Sequence, residues 1–165
     1  MKNLIKLLGA IIAIVSSLVF SESKSYAVSV SYEYEMIMLE KINEYREENG
    51  LSPLEYDDDL VRVAEVRIKE LPISFEHTRP DGESYKTVYR ELDLTSKYNR
   101  GSENIAMGHW GNFTTKEECV EYVFEAYKNS ESHRLNMLKP YWKHYGGSIA
   151  VSQDGESYQI QVFAD

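Results

Sequence analysis

Residues 42–71 read INEYREENGLSPLEYDDDLVRVAEVRIKEL and contain two amphipathic segments separated by a turn. In the first segment, whose pattern starts at Tyr32, apolar residues recur every three or four positions, and Gly50 stands where a left-handed residue ends a helix. In the second segment, Asp57 is placed to cap a helix that Pro72 stops. The stretch therefore predicts two helices, each with one buried face.

The segment that follows is rich in turn residues. Within 76–85, EHTRPDGESY, a proline and an Asp-Gly pair favour a turn that displays His77. A short helical piece is predicted over 85–92. The next segment, 93–114, is rich in Gly, Asn, Ser and Thr, and we interpret it as a long irregular connection that carries SENIA at 102–106.

The last third of the chain changes from helical to strand periodicity. Thr115 and Glu118 have the spacing of a capping box, which predicts a helix to about Lys128, and a shorter helix is predicted over 130–138. Apolar residues then alternate over 149–162 around an Asp-Gly pair, which indicates a β-hairpin.

The first residues have the order of a secretory signal. Lysines precede an apolar run over 7–20, and small residues end it at Ala27. We predict that residues 1–27 are a signal peptide and that 28–165 form one secreted domain without a membrane span. The alternative is a retained anchor, but serines interrupt the run, which is shorter than the roughly 20 apolar residues that span a bilayer.

Composition limits the partners and the chemistry. The formal net charge is −9, which argues against nucleic acid as a partner because nucleic acid attracts cationic surfaces. Cys119 is the only cysteine, so no intramolecular disulfide can form. It lies on a helical apolar pattern, and we expect it to be buried rather than catalytic.

Four polar residues stand out by their local setting. His77 lies in the turn-rich loop, and Glu103 lies where a loop begins to bury itself. His133 shares a helix face with Asn136, whose amide could orient the ring or a ligand. By spacing alone the histidines and the glutamate match no compact metal motif, and three unconnected residues are favoured over a shared site.

A family resemblance changes that balance. Besides 42–71, it is carried in order by EHTRPDG (76–82), SENIA (102–106), SESHRLNML (130–138), YGGSIAV (145–151) and QVFAD (161–165). With these motifs the chain resembles the CAP superfamily, which includes cysteine-rich secretory proteins, antigen 5 and plant pathogenesis-related class 1 proteins, and in particular its bacterial SCP-like branch.

The resemblance implies an α+β fold, a three-layer α-β-α sandwich with a central, mainly antiparallel sheet. It also implies a cleft that contains His77, Glu103 and His133, with Asn136 beside them. In several relatives the histidine pair is associated with zinc or another divalent metal, so His77 and His133 are the expected metal ligands.

The sequence departs from the family pattern at two places. Ser102 replaces the glycine of the GENxA motif, and residues 127–130 read YKNS where many relatives have a second cleft glutamate. Glu131 is close to that position but out of register. Glu83 is an alternative acidic contributor to the cleft, although a solvated charge on a loop is the favoured role for it. Without the second glutamate the family's set of cleft residues is incomplete, and the two imidazoles and one carboxylate that remain are only the minimum for a catalytic zinc site, which argues against tight metal binding.

Two functions from different classes are compatible with this pattern. We expect a monomeric, non-enzymatic binding module, secreted or associated with the envelope or the spore, whose partner is a small ligand, a lipid, a cell-wall component or a protein. The alternative is a metal-assisted hydrolase in which His77 and His133 hold zinc and Glu103 is the general base. His109 and His144, beside aromatic residues, are expected to be packing or surface groups.

Overall fold

The computed structural model of the chain describes residues 26–28, 32–109, 113 and 115–165. The helices are α1 (Tyr32–Glu48), α2 (Asp58–Glu70), α3 (Thr87–Glu91), α4 (Lys116–Asn129) and α5 (Glu131–Met137). The strands are β1 (Tyr26–Val28), β2 (Glu55–Tyr56), β3 (Gly101–His109), β4 (His144–Ser152) and β5 (Glu156–Ala164).

The predicted helix starts are confirmed by their caps. The Asp57 side chain accepts a hydrogen bond from the backbone N–H of Asp59 at the start of α2, and the Thr115 hydroxyl accepts one from Glu118 N–H at the start of α4. Each bond satisfies a backbone donor that has no partner inside its helix.

The strands form one sheet in the order β1-β4-β5-β3, with β2 added beside β4. Every pairing is antiparallel except the short one between β2 and β4. The predicted hairpin is the β4–β5 pair, and its turn places Gly155 at a φ of +86°, where a side chain would be strained. β5 lies inside the sheet, and β3 forms one edge.

Helices cover both faces of the sheet. Buried residues of α1 and α4 pack with Phe163 on one face, and those of α2 and α3 pack with Ile160 and Val162 on the other. The alternation along β5 explains this, since successive strand residues point to opposite faces. The predicted three-layer α+β sandwich is confirmed, as is the burial of Cys119, which is fully enclosed.

One predicted element is wrong. The irregular connection expected over 93–114 contains β3, which pairs with β5 along its whole length. The stretch 101–104 reads GSEN, residue types that are uncommon in strands, so local propensity gives no signal for it. Long-range pairing with β5 produces the strand, and it places Glu103 on the rigid sheet instead of a loop.

The N-terminal predictions meet the structure only in part. Residues 1–25 lie outside the described residues, and β1 spans Ala27, the predicted end of the signal peptide. Cleavage after Ala27 stays a prediction, as does the domain boundary at residue 28. Among the helices of the described ranges, none has the length and apolar character needed to cross a bilayer.

Candidate functional site

The site is built around a buried ion pair at the edge of the sheet. Glu103 lies on β3, and its carboxylate receives Arg67 Nε on Oε2 and Arg67 Nη2 on Oε1, both at 3.0 Å. The two side chains are 1% and 0% exposed. A two-point bond of this kind fixes both the position and the orientation of the carboxylate.

His77 reaches the same carboxylate from the loop after α2. Its Nδ1 lies 3.0 Å from Glu103 Oε1, while the imidazole remains 56% exposed. Arg67 also fixes the loop directly, because its Nη2 donates to the backbone oxygen of Glu76 at 2.8 Å. The ring of Tyr85 lies beside the imidazole, with the ring centres 6.2 Å apart. Nε2 is therefore the ring nitrogen of His77 left for an external ligand.

His133 enters from the other helical layer. The Asn104 amide donates to its backbone oxygen at 3.2 Å, and its ring lies edge-on to Tyr127, with ring centres 5.2 Å apart. Burial lowers the pKa of the imidazole, and a positive charge on His77 lowers it further. The two imidazoles come from opposite sides of the sheet, and their sharing of one cleft stays a prediction.

Asn136 makes hydrogen bonds between two elements of the site. Its Nδ2 donates to Asn104 Oδ1 at 2.9 Å and lies 3.5 Å from the Glu103 backbone oxygen. Its side chain thus joins α5, which carries His133, to β3, which carries Glu103. No described residue bonds to its buried Oδ1. Whether Asn136 also contacts a ligand stays a prediction.

Sequence analysis missed the residues that hold the carboxylate. Arg67 Nη1 binds Glu70 at 2.6 Å, and Glu70 also accepts a bond from Arg79 at 2.7 Å. Arg79 in turn contacts Glu91 of α3. One signal was available, because Arg67 falls on the apolar face of its helix, and a charged residue there requires a buried partner.

The predicted metal ligands could fill only part of the coordination sphere of a divalent ion. Among residues with described positions, no group of three or more His, Cys, Asp or Glu side chains is arranged to hold a metal ion. The predicted ligands His77 and His133 would offer two nitrogens, and Glu103 is engaged by Arg67 and by His77. A carboxylate behind a histidine is the usual second partner of a metal-binding imidazole. The residues therefore fit an ion whose remaining positions are filled by water or by a ligand.

The other candidates lie away from this cleft. His144 is near Asp57, with 3.5 Å between Nδ1 and Oδ2, and packs against Tyr98. His109 ends β3 and lies against the Gly155 turn. Both have the packing or surface position that the sequence predicts.

The fold agrees with a comparison of the sequence with protein families. The model of the cysteine-rich secretory protein family, CAP, matches residues 39–163. The chain belongs to this family. The match includes all three cleft residues and every element from α2 to β4, so the resemblance derived from the motifs is confirmed.

A bacterial protein is similar to most of this chain. Uncharacterized protein YkwD of Bacillus subtilis (strain 168) is 30% identical over 128 residues, which are 73% of this chain and 46% of that protein. The present chain thus spans about half the length of this relative.

Two solved structures share the fold. An outer surface protein from Borrelia burgdorferi is 22% identical with a TM-score of 0.69, covering 87% of this chain and 98% of that one. An extracellular protein containing a SCP domain from Bacillus anthracis str. Ames is 20% identical with a TM-score of 0.63, and the match covers 81% of this chain and 40% of that one.

Proposed function

We propose that this CAP domain is an extracellular, non-enzymatic binding module whose cleft takes a divalent metal ion or a small ligand through His77 and His133. The observation that carries the proposal is the 3.0 Å contact between His77 Nδ1 and Glu103 Oε1. It sets the imidazole with Nδ1 toward the protein, so that Nε2 is the nitrogen for an incoming ion. The names of the two structural neighbours, an outer surface protein and an extracellular protein, support the location.

Zinc is the ion whose chemistry suits two imidazoles best. Zn²⁺ binds neutral histidine nitrogens, and burial, which lowers the pKa of His133, favours the neutral form of that ring. With two protein ligands, the affinity should be lower than that of a site with three or four. An external group would complete the coordination of the ion. Such a site suits a protein that binds a ligand through the metal rather than one that stores the metal.

The geometry favours binding over hydrolysis. A general base needs a carboxylate oxygen free to accept a proton from water. Both oxygens of Glu103 accept bonds from the buried Arg67, and Oε1 also contacts His77. The Glu103 side chain is also only 1% exposed, which leaves little access for a water molecule. Glu103 is therefore better suited to orienting His77 than to accepting a proton from water.

Calorimetric titration with zinc tests the proposal. We expect one zinc ion per chain for the unmodified protein, no measurable binding for His77→Ala or His133→Ala, and unchanged binding for His144→Ala, a histidine outside the cleft. If His133→Ala and the unmodified protein titrate alike, the cleft assignment is wrong.

Turnover is measured separately on casein and on cell-wall fragments. The zinc-loaded protein should release no more product than the His77→Ala variant. Release that depends on both histidines would replace the binding module with a hydrolase.

A further inference from the structure

The second half of strand β3 has an open outer edge. β3 ends the strand order, and within the described part of the chain no strand pairs with its outer side. Met107 is 54% exposed, and Gly108 and His109 are exposed as well. An unpaired edge of this kind offers backbone donors and acceptors to another extended chain.

Contacts in the first half of β3 show which backbone groups point outward. The Tyr85 hydroxyl donates to the backbone oxygen of Gly101 at 3.3 Å, and Asn136 Nδ2 approaches that of Glu103. Backbone groups of alternate strand residues point to the same side. The N–H and C=O of Ile105 and Met107 therefore also point outward, and no side chain from the described residues caps them.

A small apolar pocket opens beside this edge, on the face that α4 covers. Its volume is about 50 Å³, and Ala106, Phe113, Tyr122 and Val123 contribute to its walls. Gln159 also lines it; this residue is 7% exposed, and its Oε1 has no hydrogen-bond partner in the described structure. Because a cavity of about 150 Å³ holds benzene, this pocket suits a short aliphatic or hydroxyl-bearing side chain.

An acidic residue lies beside the edge. Glu156 is the β5 partner of His109. The whole chain carries a formal net charge of −9. An occupant with basic residues is therefore attracted to this edge.

We propose that the outer edge of β3 from Ile105 to His109 binds an extended, basic peptide segment of a partner protein by strand addition, with one small side chain in the adjoining pocket. Backbone bonds would supply affinity and the pocket would supply selectivity. Glu103 is two residues from Ile105, about 7 Å along the strand, so the bound segment leads to the cleft. The link to the cleft rests on the proposed function, while the edge site itself does not.

The experiment uses an array of nine-residue peptides with lysine at both ends, alternating threonine and valine, and each of the twenty amino acids at the centre. The variants are Met107→Pro, which removes an outward N–H without touching the bonds to β5, and Met107→Ala, which retains it. Circular dichroism and thermal unfolding check that both variants fold.

We expect the unmodified protein and Met107→Ala to bind peptides with small central residues, and Met107→Pro to bind them about fivefold to tenfold more weakly. Ala126→Phe, which fills the pocket, should remove the preference for the central residue. A second array with glutamate ends should bind more weakly.

Equal binding by Met107→Pro and Met107→Ala overturns the inference, as does an array without binding. It is also overturned if the protein forms a dimer that Met107→Pro dissociates, because the edge then serves a second copy. Peptide binding by His133→Ala without zinc separates the two proposals, since that variant tests the edge when the cleft is disabled.

Discussion

The guanidinium of Arg67 binds both oxygens of Glu103, and this one buried ion pair joins helix α2 to the edge strand of the sheet. A further bond from Arg67 to the backbone of Glu76 includes the His77 loop in the same unit. Arg67 therefore fixes the positions of Glu103 and of the His77 loop without needing to contact a ligand itself.

Replacing Arg67 should destabilise the protein strongly. Arg67→Met leaves Glu103 buried without its partner, and breaking a buried pair in this way costs about 3–5 kcal/mol. The double variant Arg67→Met with Glu103→Met should recover much of that loss, because no charge stays buried. Urea unfolding measures both, and a single variant within about 1 kcal/mol of the unmodified protein would contradict the buried-pair argument.

Arg46 should be equally important on the other side of the sheet. It is fully buried, and its guanidinium donates to the backbone oxygens of Ser52, Met137 and Lys139. Arg46→Met leaves these carbonyls without a donor, at about 1–3 kcal/mol for each buried group. Thermal unfolding should show a large loss, whereas Arg62→Met, which removes an exposed pair with Asp59, should change stability by less than about 1 kcal/mol.

Glu35 should make stability depend on pH. Burial raises its pKa from 4.5 to about 8, although a 2.8 Å bond from the Tyr145 hydroxyl opposes the shift. Between these pH values the folded state keeps the proton and the unfolded state releases it. The stabilisation is thus complete below pH 4.5 and is lost as pH rises through 8, at up to about 1.4 kcal/mol per pH unit.

Glu35→Gln should remove this dependence because the amide stays neutral. The variant and the unmodified protein should differ little at about pH 4 and increasingly in favour of the variant toward about pH 8, as measured by urea unfolding across that range. Glu40→Gln, an exposed position on the same helix, is the control. Parallel pH profiles for Glu35→Gln and the unmodified protein would show that Glu35 does not titrate as described.

Close packing of α2 on β4 should make Gly146 intolerant of any side chain. A Cβ there would lie 2.4 Å from the backbone nitrogen of Val61 and 2.5 Å from the carbonyl carbon of Leu60. Gly146→Ala should therefore cost about 1–3 kcal/mol. At Gly108 the nearest atom, Ser157 Oγ, would be 3.9 Å away, so Gly108→Ala should be tolerated. Equal thermal stabilities of the two variants would refute this packing.

The sequence predicts the helices and the hairpin because their patterns are local. Asp57, Thr115 and the alternation around Gly155 each depend on neighbours within a few residues. β3 could not be recognised in this way, because its strand form depends on pairing with β5, which follows only after two intervening helices and a further strand.

The cleft was predictable only through family resemblance. Loop placement drew attention to His77, and a helix face drew attention to His133, but nothing local links either residue to Glu103. The pairing of Arg67 with Glu103 spans 36 positions and was not predicted, although the arginine on an apolar helix face indicated a hidden partner. The role of Asn136 in joining α5 to β3 depends on Asn104, which also lies far from it in sequence.

The position of β5 has a consequence for biosynthesis. It is the last of the described elements along the chain, yet it lies between β4 and β3 and pairs with both. Until Ala164 has left the ribosome, β3 has no partner strand, β4 has only the short strands β1 and β2, and the two helical layers have no complete sheet to pack on. The domain should therefore fold only once β5 has left the ribosome, in one cooperative event, and the nascent chain should stay open to proteases and chaperones until then.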